Sequence, residues 1–322
     1  MDNKWITPVI LLVTAVATGI LLTAKPKPSK NPFECATTKE IMDPKEELPV
    51  LWLFYNTGDV NSRYWSDFGA RSSRVINKPY LNLCYESIVR HTAGKFRIEI
   101  IRGIEDAIAR LGGPEFVPKP LRNTKAFLLE EETQFLAVAF LAKFGGLWFS
   151  PSSIVFRTFP ELPKDSIVGF GTSDSETYSG QDGTIVPNTM YLWAPQAGNL
   201  VFYKWASLLF ERLDGYHGGF RARRDAQWDW TFVTTTCQSV TVWPHSSVQR
   251  KSDGRRIELT DLLAAGTEGD LPFPISANAF FVPIPFYELD RRSKLAWFLR
   301  MNEEQIMDSD LAIRWLFNKA GF

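Results

Sequence analysis

The sequence predicts an α/β fold, and three observations carry that expectation. Short apolar runs ending in turn residues alternate with helical patterns from residue 49 onward, the order expected of strands and crossover helices in one sheet. The first run, Pro49–Tyr55 (PVLWLFY), has no polar face, which suits a strand covered on both sides. A longer segment, Glu130–Phe144, is apolar on nearly every face of a helix and so belongs in the interior.

Taken in chain order, the first element is not part of that fold. Trp5 to Ala24 runs twenty residues without a charge. At about 1.5 Å per residue this covers the roughly 30 Å hydrocarbon core of a bilayer. Trp5 stands at one boundary, and Pro8 falls early, where a helix tolerates it best. A cleaved signal peptide would need small residues before the cut, and Leu22 is bulky there. The segment is therefore expected to be an uncleaved single-pass anchor, residues 1–24, with the membrane as partner of residues 5–24. Lys25, Lys27 and Lys30 follow it, which places the globular part on the cytoplasmic side. Residues 25–48, with Pro26, Pro28, Pro32 and Pro44, form a semi-extended linker to a domain at 49–322.

Within the domain the first strand ends at Asn56-Thr57-Gly58, a turn signal. A helix over Leu81–His91 precedes the strand Phe96–Ile101, and a helix over Ile104–Leu111 stops at Gly112-Gly113. Glu130, Glu131 and Glu132 suit the first turn of the apolar helix, and Gly145 its end. Leu147–Phe149 and Ile154–Phe156 are strand pieces interrupted by Pro151. Leu200–Leu213 is a further helix, Val240–Trp243 and Phe280–Pro285 later strands, and Asp308–Lys319 one closing amphipathic helix.

Composition narrows the function. Of 322 residues, 36 are basic and 36 acidic, so no net positive charge is available to displace counterions from a nucleic acid, and none is expected as a partner. A hydrophobic share of 45% is ordinary for a globular chain. Three widely spaced cysteines, Cys35, Cys84 and Cys237, make neither a disulfide framework nor a zinc site and suit a reducing compartment.

Three stretches together carry a family resemblance: Pro49-Val50-Leu51-Trp52; Leu83-Cys84-Tyr85-Glu86-Ser87 before the FRIEII strand; and the apolar helix running into Phe144-Gly145-Gly146-Leu147-Trp148-Phe149. In this order they resemble the capsular polysaccharide synthesis proteins and related sugar-nucleotide glycosyltransferases of the DxD type, over roughly residues 49–162. The resemblance implies a glycosyltransferase-A-like nucleotide-binding domain with a mixed sheet. By position it assigns ligand contacts to Phe54, Tyr55, Asn56, Trp148, Ser150 and Ser152.

The departures fall on the charges. Where the family has Asp-x-Asp after the Gly-Gly-aromatic segment, this chain has Ser150-Pro151-Ser152, and where the helix carries Asp and then Arg it has Gln134 and Ala137. A hard divalent cation on a diphosphate is held by carboxylates, and a neutral hydroxyl supplies none of that charge. The resemblance thus implies a degenerate transferase with no metal or cofactor, serving a structural or interaction role in a membrane assembly, such as the particle of a large DNA virus. Two alternatives stay open. One is an active transferase using a sugar nucleotide with Mg²⁺ or Mn²⁺ through relocated residues, for which Asp174, Glu176 and Asp229 are the candidates. The other is a sugar-nucleotide or carbohydrate binding module.

Asp174, Glu176 and Asp182 lie in a polar Gly-rich loop, for which solvent exposure is the default. The run Arg221–Trp230 mixes cations, carboxylates and indoles; it suits an anionic sugar ligand, or a surface helix end with its Trp side chains packed inward. His91, His217 and His245 have no metal-ligand spacing to one another.

Overall fold

The computed structural model describes residues 48–56, 78–123, 128–170, 188–215, 240–243, 257–266, 271–291, 293–295 and 297–322. The anchor expected at residues 5–24, the linker apart from Leu48, and the segments holding Asp174, Glu176, Asp182, Arg221–Trp230, His217 and His245 lie outside the described residues. Among the described residues no helix is long and apolar enough to cross a membrane.

The domain is α/β with a mixed sheet. Its strands are β1 (Val50–Tyr55), β2 (Arg97–Arg102), β3 (Gly146–Phe149), β5 (Ile167–Phe170), β6 (Tyr191–Ala194) and β7 (Val240–Trp243), in the spatial order β2-β1-β3-β6-β5-β7. Between β3 and β5 in the chain, β4 (Ser153–Val155) leaves the sheet to form an antiparallel ribbon with β8 (Phe281–Pro283). β1 is parallel to both neighbours, with Leu53 opposite Ile100 on one side and Phe149 on the other. β6 is antiparallel to β3 and β5, and β7 runs parallel to β5.

The two-residue period of β1 sorts its side chains to two cores. Leu51, Leu53 and Tyr55 join one; Trp52 and Phe54 join the other. The second core is covered by α2 (Gly103–Leu111), α3 (Glu130–Phe144) and α4 (Leu200–Asp214). The first is covered by α1 (Tyr80–Thr92), the β4–β8 ribbon and the C-terminal helices α5 (Leu259–Leu262), α6 (Phe286–Arg291), α7 (Glu303–Asp308) and α8 (Ala312–Lys319). β1 and β3 are thus buried on both faces, which is why neither carries a charged residue.

Helix α3 is buried from Glu132 through Ala142, as its apolar body predicts. The three glutamates sit in its first turn, and the Glu132 carboxylate accepts from the Leu129 amide at 2.9 Å, satisfying one of the free donors at the helix start.

The closing helix expected over Asp308–Lys319 is present but begins later, at Ala312, and the separate short helix α7 before it ends at Asp308. The chain leaves the helical region at Ser309 (φ −74°, ψ 164°), where the Ser309 hydroxyl donates to Ile306 O at 2.7 Å. Ser competes with the helix by bonding nearby backbone, and Asp308 and Asp310 on either side favour the same caps and turns. Strands β5 and β6 carry no such signal in the sequence: at four residues each they are too short for alternation to mark them.

Candidate functional site

The strand order places the site. From β1 the chain moves outward to β2, then returns across β1 to β3. Ligands of open α/β sheets bind where such a reversal occurs, in the crevice beyond the carboxyl ends of the two parallel strands. Here that edge brings Tyr55 and Asn56, which end β1, beside Ser150-Pro151-Ser152, which follow β3. The N-terminus of α3 points to the same edge, since its C-terminal Phe144 packs on Trp52 near the start of β1 (5.5 Å between rings) and its cap Gly145 leads directly into β3.

The turn between α3 and β3 is built from two glycines that the backbone requires. Gly145 has φ +66° and Gly146 φ +92°. A Cβ on Gly145 would lie 2.6 Å from the Gln196 carbonyl carbon, and one on Gly146 would run into the Val50 carbonyl oxygen of the adjacent strand. The Trp52 indole N–H donates to Gly145 O at 2.9 Å, tying β1 to this turn.

At the other end of β3 the side chains decide the structure. The Ser152 hydroxyl is 2% exposed, donates to Ile284 O at 3.0 Å and lies 3.2 Å from the Tyr80 hydroxyl at the start of α1. Ser153 Oγ donates to Ser150 O at 2.9 Å and lies 2.8 Å from the Tyr191 hydroxyl of β6. Ser150 Oγ accepts from the Ser152 amide at 3.3 Å. Further along α1, Ser87 Oγ donates to Cys84 O and accepts from the Val155 amide. Hydroxyls from α1, β6 and the loop thus stitch residues 150–155 to their surroundings. Burial pushes the Cys84 thiol and the Tyr55 phenol well up from their ordinary values, so both stay neutral.

The six ligand positions taken from the resemblance divide on this geometry. Tyr55, Asn56, Ser150 and Ser152 come together at the crevice edge, and Asn56 alone of the six is partly exposed. Phe54 and Trp148 face the opposite way, into the core beneath α3. They stack on each other (6.1 Å, 22°), and Trp148 also meets Phe140 at 5.7 Å, so neither face is open to a base or sugar. Their alternation with Tyr55 and Phe149 along the strands could have signalled this, because successive residues point to opposite faces.

Gln134 and Ala137 are both buried on α3, and the Gln134 Nε2 group has no hydrogen-bond partner. Sequence reasoning missed Tyr80, Ser153 and Tyr191, whose partners lie far away in the chain. It also missed Lys78, fully buried with its ammonium 3.9 Å from the Phe286 ring centre. Among the described residues, no three His, Cys, Asp or Glu side chains are grouped so as to hold a metal ion. No protein-family model, curated protein or solved structure matches the chain.

Proposed function

We propose that this protein is a membrane-anchored, glycosyltransferase-A-like protein that has given up metal-dependent sugar transfer and serves as a structural or interaction module. In this reading residues 5–24 hold it in the membrane with the domain on the cytoplasmic side, and its partners are proteins of a membrane-associated assembly. The observation that carries the loss of transfer is the state of Ser152. Its hydroxyl is committed to Ile284 O and faces Tyr80, at 2% exposure. A metal-binding carboxylate would need its lone pairs directed at an open cleft. The position is occupied instead by a small group absorbed into packing.

Gln134 supports the same reading. A buried amide donor without an acceptor costs about 1–3 kcal/mol and contributes no packing advantage over an apolar side chain. It stands where the resemblance puts an Asp, and Ala137 stands where that Asp would find an Arg.

Calorimetry of the full chain with UDP- and GDP-sugars, in Mn²⁺ and then in EDTA, together with a hydrolysis assay, tests the proposal. The expected result is no metal-dependent binding and no turnover. Tight binding that disappears on chelation, or metal-stimulated hydrolysis abolished by Asp174→Asn, Glu176→Gln or Asp229→Asn, overturns it in favour of an active transferase.

A further inference from the structure

At the end of α1 away from the crevice lies a groove of about 620 Å³. Its place follows from two bonds: the Phe159 amide donates to His91 O near the C-terminus of α1, and His91 Nε2 lies 3.2 Å from Ala320 O just past α8. α1 has 13 residues, so at about 1.5 Å per residue the groove lies roughly 18 Å from Tyr80 and Ser152. It is therefore a separate site from the one at the switch point.

Its walls combine two chemistries. Phe156, Phe273, Leu271 and Ile275 make an apolar side, with Phe156 and Phe273 fixed in the core. Arg157 and Lys319 are its charged groups, and among the described residues no Asp or Glu lines it. Both cations are exposed and, among the described residues, neither is in an ion pair. Their local ties are few: the Arg157 guanidinium lies 5.8 Å from the Phe156 ring centre. Arg157 donates through Nη1 to Ala277 O, which leaves most of its five N–H donors available. Lys319 ends α8, but the carbonyls beyond that helix are already served by Arg90, which donates to Ala320 O and Gly321 O. The helix end therefore does not need the lysine.

Two unspent cations beside an apolar wall match a ligand with about two negative charges on an apolar body. A phosphate monoester carries ≈ −1.5 to −2 at neutral pH and offers the three acceptor oxygens that an Arg fork and an ammonium can share. We propose that this groove binds an organophosphate: a phosphate carried on an aromatic or aliphatic body, either a soluble metabolite or the headgroup end of a phospholipid. The phosphate sits between Arg157 and Lys319, and the body lies on Leu271 and Ile275, the partly exposed members of the apolar side.

Calorimetry on the full chain tests this with phenyl phosphate, inorganic phosphate, phenol and dihexanoyl phosphatidate below its micelle concentration. Phenyl phosphate is expected to bind saturably, about tenfold more tightly than inorganic phosphate, and phenol not at all. Arg157→Gln and Lys319→Gln, both exposed substitutions that leave the fold intact, should each weaken phenyl phosphate by about tenfold. Tighter binding of the phosphatidate than of phenyl phosphate assigns the site to a lipid; the reverse order assigns it to a soluble ligand. Equal affinity for phenyl and inorganic phosphate, unchanged affinity in the Arg157 and Lys319 variants, or no saturable binding of any probe overturns the proposal. None of these outcomes depends on whether the crevice is active.

Discussion

The two ends of the four-residue strand β3 are settled by different kinds of force. At its start, Gly145 and Gly146 are held by backbone geometry: positive φ at both, and a neighbouring strand so close that no Cβ fits. At its finish, Ser150, Ser152 and Ser153 are held by side-chain hydrogen bonds to Tyr80, Tyr191 and the Ile284 carbonyl. The first kind of constraint belongs to the fold and tolerates no substitute. The second belongs to chemistry, and other polar groups can satisfy it. The α/β framework can therefore persist whatever polar groups follow β3, because the framework depends on the glycines and not on the side chains of that loop.

The largest expected effect lies at the glycine end. Gly146→Ala adds a left-handed backbone strain to a collision with the Val50 carbonyl, and the pairing of β1 with β3 must shift to relieve it. Chemical denaturation should report a loss of more than about 4 kcal/mol. A loss under about 1 kcal/mol would mean that the turn has more room than the strand pairing implies.

At the serine end the two loop positions should separate. Ser152→Asp places a carboxylate against the Ile284 carbonyl in a site with 2% exposure and should cost roughly 3 kcal/mol. Ser150→Asp keeps an acceptor for the Ser152 amide and stands nearer solvent, at 7% exposure, so its cost should stay within about 1 kcal/mol. Equal costs would remove the distinction between a position absorbed into packing and one at the crevice mouth. The pair also ranks the two positions as places for a carboxylate: 150 should accept one more easily than 152.

The most gradual effect is a pH limit on the packed end of β1. Burial raises Cys84 and Tyr55 above their ordinary values of 9.0 and 10.0, so folding favours their neutral forms. Their contribution is complete below about pH 9 and is lost as the pH rises beyond it, because the unfolded chain then releases protons that the folded one retains. Stability should fall by up to about 1.4 kcal/mol per pH unit for each group. Denaturation midpoints from about pH 8 to pH 11 would show it, and Cys84→Ala should move the onset upward by about one unit, toward the ordinary value of Tyr55.

Much of the fold is legible in residue type and spacing. The all-apolar run of β1 announces a strand covered on both faces, the apolar circumference of α3 announces a buried helix, and Pro151 announces the break between β3 and β4. These are local properties, so the chain alone determines them. Pairing is not local. That β1 lies between β2 and β3 and that β4 leaves the main sheet for β8 depend on contacts with distant segments. The candidate site divides in the same way. That Ser150, Ser152, Gln134 and Ala137 carry no charge is written in the sequence. What those positions meet is not: Ser152 meets Tyr80 from 72 residues away and Ile284 from 132. Hydrogen bonds and burial are properties of neighbours in space, and only the folded chain selects those neighbours.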